Sequence, residues 1–200
     1  MKSCYVFYLV MLIGINSSFA QSVPVGRKKW SAKNLDVSNF RNGDPIPEAK
    51  TEEEWKNAGK NKAPAWCYYD NDPGNGVKYG KLYNQYAVQD NRGLAPKGWH
   101  VMTSEEWGEV INFIGDYEDL SPLRSIDGWE NNGNGSDVFS INILPAGSRS
   151  SEGIFGGEFV FAYFWVRDSY VMLGYDSYDR YWDEMGDDSS FGFSVRCIED

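Results

Sequence analysis

The chain has 200 residues, of which 24% are charged and 16% aromatic, and its formal net charge is −10 at pH 7. A chain this acidic is repelled by phosphate backbones and by anionic lipid headgroups, which argues against nucleic acid and membrane surfaces as partners. Its 21 glycines and the scarcity of long helical periods favour a loop-rich domain with short strands.

The first twenty residues have the three parts of a secretory signal peptide. Lys2 supplies a positive start, residues 4–15 form an apolar run too short to span a bilayer, and the SFA sequence at 18–20 offers a small-residue cleavage site. We therefore expect cleavage after Ala20 and an exported chain that is secreted, periplasmic or at the cell surface. No membrane insertion is expected once the peptide has been removed.

Residues 21–28 are predicted to be a short N-terminal segment, and residues 29–200 one domain large enough for a substantial core. After cleavage, Cys67 and Cys197 are the two remaining cysteines. In an oxidising compartment they are candidates for a disulfide, which would close a loop of about 130 residues and stabilise the fold by roughly 4–5 kcal/mol. The alternative is two separate buried thiols, because sequence does not show whether the two Cα atoms lie within about 7 Å.

Two similar stretches, TEEEW at 51–55 and TSEEW at 103–107, predict the starts of two short helices. Each has a threonine at the N-cap and a glutamate three residues later, the arrangement of a capping box. The second start is followed by apolar residues at helical spacing as far as Ile114. Gly59 and Gly115 are the predicted stops. The paired carboxylates could also form an acid/base dyad, but the capping pattern gives each a structural role, so we interpret both stretches as helix starts.

Strands are predicted mainly in the second half of the chain. Residues 138–144 alternate apolar and polar side chains until Pro145, and residues 158–166 form a nearly continuous apolar run, as in a strand buried on both faces. Residues 170–174 follow after a short turn and predict a hairpin. In the last strand, residues 191–199, one side carries Phe191, Phe193, Val195 and Cys197. Short helices early and strands late predict an α+β domain.

Four stretches resemble the Fibrobacter succinogenes major paralogous domain family. They are 63–88 (APAWCYYDNDPGNGVKYGKLYNQYAV), 92–107 (RGLAPKGWHVMTSEEW), 144–147 (LPAG) and 192–197 (GFSVRC). The resemblance implies an exported bacterial domain with a C-type-lectin-like fold: two short helices and a twisted, mostly antiparallel sheet. It also implies that an opening strand near Trp30 pairs with the last strand. A fainter resemblance reaches the formylglycine-generating (sulfatase-modifying) enzymes.

Catalytic residues are not predicted. The related enzymes are implied to bind copper through two thiolates late in the chain, and no cysteine lies between Cys67 and Cys197. A hydrolase triad needs a histidine base and a zinc site normally draws on several His and Cys ligands, but His100 is the only histidine. We interpret His100 as a half-buried ring bonded to nearby backbone, and the chain as no enzyme.

Calcium is the one cofactor that the sequence leaves open. The stretches DNDPGNG at 70–76 and ENNGNGSD at 130–137 supply carboxylate and amide oxygens, which hard cations prefer. The same residue types are typical of ordinary turns, and neither stretch has the EF-hand spacing. We predict no cofactor, with calcium as the alternative.

A ligand-binding surface is predicted in the aromatic stretch that begins near residue 168. Amphipathic rings alternate there with charged groups, which is the chemistry of sugar platforms and of antibody-like paratopes. The family resemblance implies that this part supplies an exposed ligand face; the alternative is that the rings pack on the sheet. The predicted ligand-binding residues are Tyr170, Tyr175, Tyr178, Arg180, Tyr181 and Trp182.

These features predict an exported, non-catalytic binding module for a glycan or an extracellular protein. Two alternatives stay open: a structural or interaction domain of a cell-surface assembly without a small ligand, and an oxidase relative of the formylglycine-generating type.

Overall fold

The computed structural model describes residues 21–116, 119–175 and 189–200, which form an α+β fold. The helices are α1 (Glu52–Lys60), α2 (Pro73–Tyr79), α3 (Gln85–Val88) and α4 (Ser104–Ile114), with a 3₁₀ turn at Tyr69–Asn71. The strands are β1 (Ser22–Val25), β2 (Lys28–Ser31), β3 (Trp66–Cys67), β4 (Leu82–Tyr83), β5 (Trp99–Val101), β6 (Ala146–Arg149), β7 (Phe155–Glu158), β8 (Phe161–Trp165), β9 (Tyr170–Gly174), β10 (Ser194–Val195) and β11 (Cys197–Glu199). None of these helices is long and apolar enough to cross a bilayer.

Both predicted helix starts are confirmed as capping boxes. In α1 the amide of Glu54 donates to Thr51 Oγ1 (3.1 Å), and the Glu54 carboxylate accepts from the Thr51 amide (2.9 Å). In α4 the amide of Glu106 donates to Thr103 Oγ1 (3.2 Å), and the Glu106 carboxylate accepts from the Thr103 amide (3.0 Å). α4 ends before Gly115, whose φ of +78° suits glycine.

The turn-rich stretch at 70–76 contains the start of α2, which was not predicted as a helix. Asp72 is its N-cap and accepts a hydrogen bond from the amide of Gly74, while Pro73 occupies the first helical turn. Proline is well tolerated there because its missing N–H would have no partner in the helix. The signal for a helix was therefore present within a run of residues that also form turns.

The first sheet joins the two ends of the fold in the order β1-β2-β11-β5. β11 pairs antiparallel with β2, where Ile198 lies opposite Trp30, which confirms the predicted pairing of the first and last strands. Residues 21–28, predicted to precede the domain, contain β1, the outer strand of this sheet. Its Val23 and Val25 are buried in the core, so β1 is part of the folded unit.

The second sheet has the order β10-β8-β6-β7, with β9 also paired to β8. β8 and β9 form the predicted antiparallel hairpin, whereas β10 and β6 run parallel to β8. β3 and β4 form a separate antiparallel pair. Most of the pairings are antiparallel, as expected, but the strands divide among three sheets.

The strand predicted at 138–144 was wrong. Ser140 and Asn142 have φ values of +56° and +51°, which an extended strand does not accommodate. Asp137 folds this segment back, because its backbone oxygen accepts from the Ser140 amide (2.9 Å) and its carboxylate accepts from the Asn142 amide (2.8 Å). Ile141 and Ile143 are nevertheless buried, so the apolar alternation reflects a loop with two side chains anchored in the core.

Three hydrophobic clusters form the core. The first includes Trp30, Trp107, Phe164 and Leu173; the second includes Trp66, Tyr83, Trp165, Phe193 and Cys197; the third includes Trp55, Cys67, Tyr69 and Leu82. Much of the chain around them is loop, so its backbone polar groups need partners outside the sheets.

Two buried arginines supply some of those partners. Arg196 donates to the Asn34 side chain (2.6 Å) and to the backbone oxygens of Ser31 (2.7 Å) and Asn142 (3.2 Å). Burial lowers the pKa of Arg196 to about 9. Arg196, which lies between β10 and β11, thus connects the end of β2 and the loop after it to the loop that contains Asn142.

Arg149 has the corresponding role near α1. Its guanidinium donates to the backbone oxygens of Ala49 (2.7 Å) and Gly153 (3.0 Å). It lies over the rings of Trp55 and Phe155, at 4.8 and 4.7 Å from their centroids. The stacking covers its planar faces and the edge bonds hold two loops together.

Candidate functional site

The predicted ligand-binding residues divide into two groups. Tyr178, Arg180, Tyr181 and Trp182 lie outside the described residues. The structure corrects the expected exposure of Tyr170. Its side chain is 7% exposed, and its ring lies 5.3 Å from that of Phe193 and 6.4 Å from that of Trp165. Its position in β9 opposite Trp165 turns it into the second hydrophobic cluster, so it does not form part of an exposed face.

Tyr175, the remaining predicted residue, follows directly after β9. Its side chain is half-buried and packs against the first hydrophobic cluster. The backbone oxygen of Tyr175 accepts a hydrogen bond from Arg124 (2.9 Å), which fixes the chain where it leaves the sheet. The position of Tyr175 agrees better with the alternative interpretation, in which the rings pack on the sheet, than with the prediction of an exposed ligand face.

Three other rings form a half-buried surface that we call the aromatic surface: Phe161, Tyr163 and Phe191. Tyr163 stacks on the buried Phe193, with ring centroids 5.0 Å apart and planes 12° apart. Phe161 lies 5.7 Å from Tyr163, and Phe191 lies 5.7 Å from Phe193. The three rings therefore share one continuous set of aromatic contacts that extends from the core to solvent.

The alternation of side chains along β8 explains why two of these rings reach the surface. Ala162 and Phe164 point into the first cluster, whereas Phe161, Tyr163 and Trp165 occupy the opposite face. On that face Trp165 is buried, whereas Tyr163 and Phe161 are half-buried. The prediction that this strand is buried on both faces was therefore wrong at its amino-terminal end.

Gly157 of β7 leaves the area beside these rings uncovered. A Cβ on Gly157 would lie 3.3 Å from Phe161 and 3.7 Å from Tyr163, so a side chain there would crowd both rings. Gly156 is exposed and has open space where a Cβ would be. β7 is also the last strand in its sheet order, so bare backbone borders the aromatic surface at a sheet edge.

The aromatic surface lies where the chain enters and leaves the segment 176–188. Gly174, at the end of β9, is the register partner of Phe161. After that segment, Ser189 is held by Gln85, because its hydroxyl donates to the Gln85 side chain (2.7 Å) and its backbone oxygen accepts from the Gln85 amide (2.9 Å). Phe191 then joins the aromatic surface. The predicted ligand-binding stretch is thus attached to this surface at both ends.

Phe159, in the turn between β7 and β8, is an exposed ring in a strained conformation. Its φ is +66°, which is unusual for a bulky residue, and 38% of its surface is exposed. Its amide donates to Pro145 O (3.1 Å), and its oxygen accepts from the Glu130 amide (2.9 Å). The ammonium of Lys78 lies 5.2 Å from the ring centroid. The fold therefore holds this ring outward against a local backbone preference.

His100 contacts carboxylates and not the nearby backbone, which corrects the sequence interpretation. Its Nδ1 lies 2.8 Å from Asp200 and its Nε2 lies 2.9 Å from Glu106. Burial opposes protonation of the ring, but the bonds to Asp200 and Glu106 outweigh it and raise the His100 pKa above its ordinary value. The hydroxyl of Thr103 donates to Glu106 (3.1 Å), so this neighbour is not arranged as a nucleophile on the imidazole. With both nitrogens engaged, the ring is placed to hold elements together.

The oxygen-rich stretches considered for calcium use their side chains in turns. Asp72 accepts from the Gly74 amide (2.8 Å), Asn75 donates to Tyr69 O (3.1 Å), and Asn134 accepts from the Trp129 amide (3.0 Å). Across residues 21–116, 119–175 and 189–200, no group of three or more His, Cys, Asp or Glu side chains could hold a metal ion.

The candidate disulfide is not formed in this structure. Cys67 and Cys197 are both free and buried, and they belong to different hydrophobic clusters. Burial raises the pKa of Cys67 to about 12 and also raises the pKa of Cys197. Both groups are therefore neutral thiols at physiological pH, with the character of small apolar side chains.

Comparison with known proteins gives one family. The family model described as the Fibrobacter succinogenes major domain (Fib_succ_major) matches residues 23–199. No curated protein and no solved structure matches the chain. The matched range begins inside β1, in agreement with the packing of that strand in the core. The likeness to C-type lectins and to formylglycine-generating enzymes stays a prediction.

Proposed function

The chain belongs to the Fibrobacter succinogenes major domain family, and on that premise we propose that it is an exported, non-catalytic binding module for a neutral glycan. The ligand would contact the aromatic surface together with the Tyr/Trp-rich segment attached to it. The observation that carries this proposal is the set of half-buried rings connected to the buried Phe193, beside the backbone of Gly157.

Rigidity is the first argument for binding. Phe193 is 1% exposed and contacts four rings, at centroid distances of 4.6 to 5.7 Å. One of them, Trp165, donates from its indole nitrogen to Tyr83 O (2.7 Å), which fixes the centre of the set. Rings held in this way lose little conformational freedom when a ligand stacks on them.

Chemical complementarity is the second argument. A sugar ring offers C–H groups to an aromatic face and hydroxyl groups to hydrogen-bonding partners. The edge strand β7 supplies backbone groups at Gly157, next to Phe161 and Tyr163. Because the protein carries a formal charge of −10, an anionic polysaccharide would be repelled, which favours a neutral glycan.

A protein partner is the second candidate, and the exposed turn between β7 and β8 favours it. Phe159 is held outward in a strained conformation, and Val77 of α2 is 88% exposed. Exposed apolar groups beside an unpaired sheet edge are features of protein interaction surfaces. In that case the chain would be a structural or interaction domain of a cell-surface assembly.

The absence of catalysis and the exported location are parts of the proposal. His100 has carboxylates at both ring nitrogens, and both thiols are buried and protonated, which supports a non-catalytic role. The signal-peptide pattern at residues 1–20 supports export to the periplasm, the cell surface or the medium.

A glycan array with the chain from residue 21 onward, followed by calorimetry with the strongest hit, tests the proposal. Phe161→Ala and Phe191→Ala are each expected to weaken binding about tenfold or more, equivalent to ~1.4 kcal/mol. Phe113→Ala is the matched control, because Phe113 is an exposed ring on α4. Replacing Tyr178, Tyr181 and Trp182 together with alanine tests the attached segment.

The outcomes separate the two candidates. Glycan binding that survives all these substitutions, in variants with an unchanged circular dichroism spectrum, would refute the proposed site. Silence on the array, combined with a purified extracellular protein whose binding is lost in Phe159→Ser, would favour the interaction domain.

A further inference from the structure

A cleft of about 330 Å³ lies between the β1–β2 turn and the second half of α4. Its volume is at the lower end of the range for small-ligand sites. Its floor is apolar, because Val25 and Val110 are buried there. Its lining also includes Arg27, Lys28, Glu109 and Phe113.

One cation in this cleft has no carboxylate partner among the residues that the structure describes. In the basic run at 27–29, the ammonium of Lys28 lies 3.1 Å from Glu106 and that of Lys29 lies 3.0 Å from Glu199. Arg27 is exposed and forms no ion pair with any residue that the structure describes. A guanidinium in this situation is suited to bind a carboxylate with two parallel hydrogen bonds.

The helix side of the cleft supplies an anion and an aromatic wall. Glu109 and Phe113 are four residues apart on α4 and therefore lie on the same side of the helix. Phe113 is 56% exposed but is supported by the ring of Phe139, at a centroid distance of 5.7 Å. The wall is thus an exposed ring in a supported position, and Glu109 favours a cationic group beside it.

Gly26 allows the turn to lie close to this ring. Its φ is +62°, and a Cβ at this position would lie 3.3 Å from Cγ of Phe113. A side chain here would therefore be strained in the backbone and would crowd the ring. The absence of one brings the Arg27 end of the cleft and the Phe113 wall close enough to be contacted by one small molecule.

We propose that this cleft binds a small zwitterion, namely a free amino acid with an apolar side chain. Its carboxylate would bind Arg27, its ammonium would bind Glu109, and its side chain would lie against Phe113. The site is independent of the glycan proposal, because no residue of the aromatic surface lines the cleft.

Calorimetry with L-phenylalanine at millimolar concentration tests the site in the wild-type chain. Two truncated probes identify the groups: 3-phenylpropionate lacks the ammonium and phenethylamine lacks the carboxylate. Each is expected to bind about tenfold or more weakly than phenylalanine, because a hydrogen-bonded charge is lost. Arg27→Gln should weaken the binding of phenylalanine and 3-phenylpropionate but not of phenethylamine. Glu109→Gln should weaken the binding of phenylalanine and phenethylamine but not of 3-phenylpropionate. Arg167→Gln, at an exposed arginine outside the cleft, should change none of the three affinities.

Several results would overturn the inference. Absence of binding heat with phenylalanine would refute the site. Equal affinities for phenylalanine and 3-phenylpropionate would show that the ligand need not be a zwitterion. Unchanged phenylalanine binding in Arg27→Gln would show that the ligand lies elsewhere. Glycan affinity is expected to be the same in Arg27→Gln and wild type, so that failure of one proposal does not imply failure of the other.

Discussion

Nε2 of His100 lies 2.9 Å from Oε1 of Glu106, a carboxylate that also accepts hydrogen bonds from the Thr103 amide and from the Lys28 ammonium. These partners belong to different elements: His100 to β5, Lys28 to β2, and Thr103 to the cap of α4. One glutamate from a helix-start sequence therefore also connects α4 to two strands of the first sheet. Its role extends beyond the local capping that its sequence position predicts.

The His100–Glu106 contact predicts a pH window of greatest stability. For His100, burial lowers the pKa but the bonds to Asp200 and Glu106 raise it more, so the folded value lies above the ordinary 6.5. The stabilisation of the folded state by protonated His100 is complete below pH 6.5 and is lost as the pH rises through the folded pKa. For Glu106, burial raises the pKa but the bonds from His100, Thr103 and Lys28 lower it below 4.5, so this contribution is lost as the pH falls through that lower value.

Urea unfolding at about pH 5.5 and about pH 8 checks this prediction, with a lower midpoint expected at the higher pH. The upper pH stays below the range in which the thiols of the unfolded chain ionise. His100 is the only histidine in the chain, so His100→Gln should remove most of the difference. An identical pH dependence in His100→Gln and wild type would show that the contact does not contribute.

The two capping boxes are expected to differ in their importance for stability. Thr103→Ala should lower the free energy of unfolding by about 1 kcal/mol or more, because it removes a cap bond and also the hydroxyl that donates to the buried Glu106. Thr51→Ala is the matched substitution at the exposed start of α1, and a loss of about 1 kcal/mol or less is expected. Denaturant titration of both variants provides the comparison, and a larger effect at Thr51 would contradict it.

The cysteines are expected to be unreactive in the folded protein and reactive after unfolding. Burial of Cys67 and Cys197 removes access and keeps both protonated, so a thiol reagent such as DTNB should label neither at neutral pH. Labelling in denaturant without reductant should reveal both thiols. Detection of no thiol after unfolding would demonstrate that the two residues form a disulfide.

Replacement of Arg149 by methionine is expected to destabilise the fold by about 2 kcal/mol or more. Methionine retains much of the side-chain length but leaves the backbone oxygens of Ala49 and Gly153 without their donors. Arg167→Met is the control at an exposed position, and its effect should stay within about 0.5 kcal/mol. Thermal or urea unfolding measures both, and equal stability of the two variants would mean that the Arg149 bonds contribute little.

Features determined by neighbouring residues could be predicted from the sequence. The caps of α1 and α4 depend on a threonine and a glutamate three residues apart, and the β8–β9 hairpin depends on two apolar runs separated by a short turn. The run at 138–144 shows where this reasoning fails. Alternating burial can arise from a loop as well as a strand, and the decisive positive φ values at Ser140 and Asn142 leave no clear pattern in the sequence.

The site depended more strongly on tertiary contacts. The sequence shows the apolar run that contains Phe161 and Tyr163, but their exposure depends on Gly157, which lies in β7, a strand that does not pair with β8. Tyr170 could not be assigned to the core without knowledge of its partner across the hairpin. The carboxylate at Nδ1 of His100 likewise comes from Asp200, a hundred residues away.

The bonds of Arg196 have a consequence for the timing of folding. They join Asn34 and Ser31 to a residue more than 160 positions later, and the Leu35 amide similarly donates to Val195 O. If the chain is exported as proposed, amino-terminus first, its opening loop lacks these partners until nearly all of the chain has passed through the translocation channel. Contacts between residues so far apart in sequence form slowly, so the chain would stay unfolded while it crosses the membrane and would fold only afterwards.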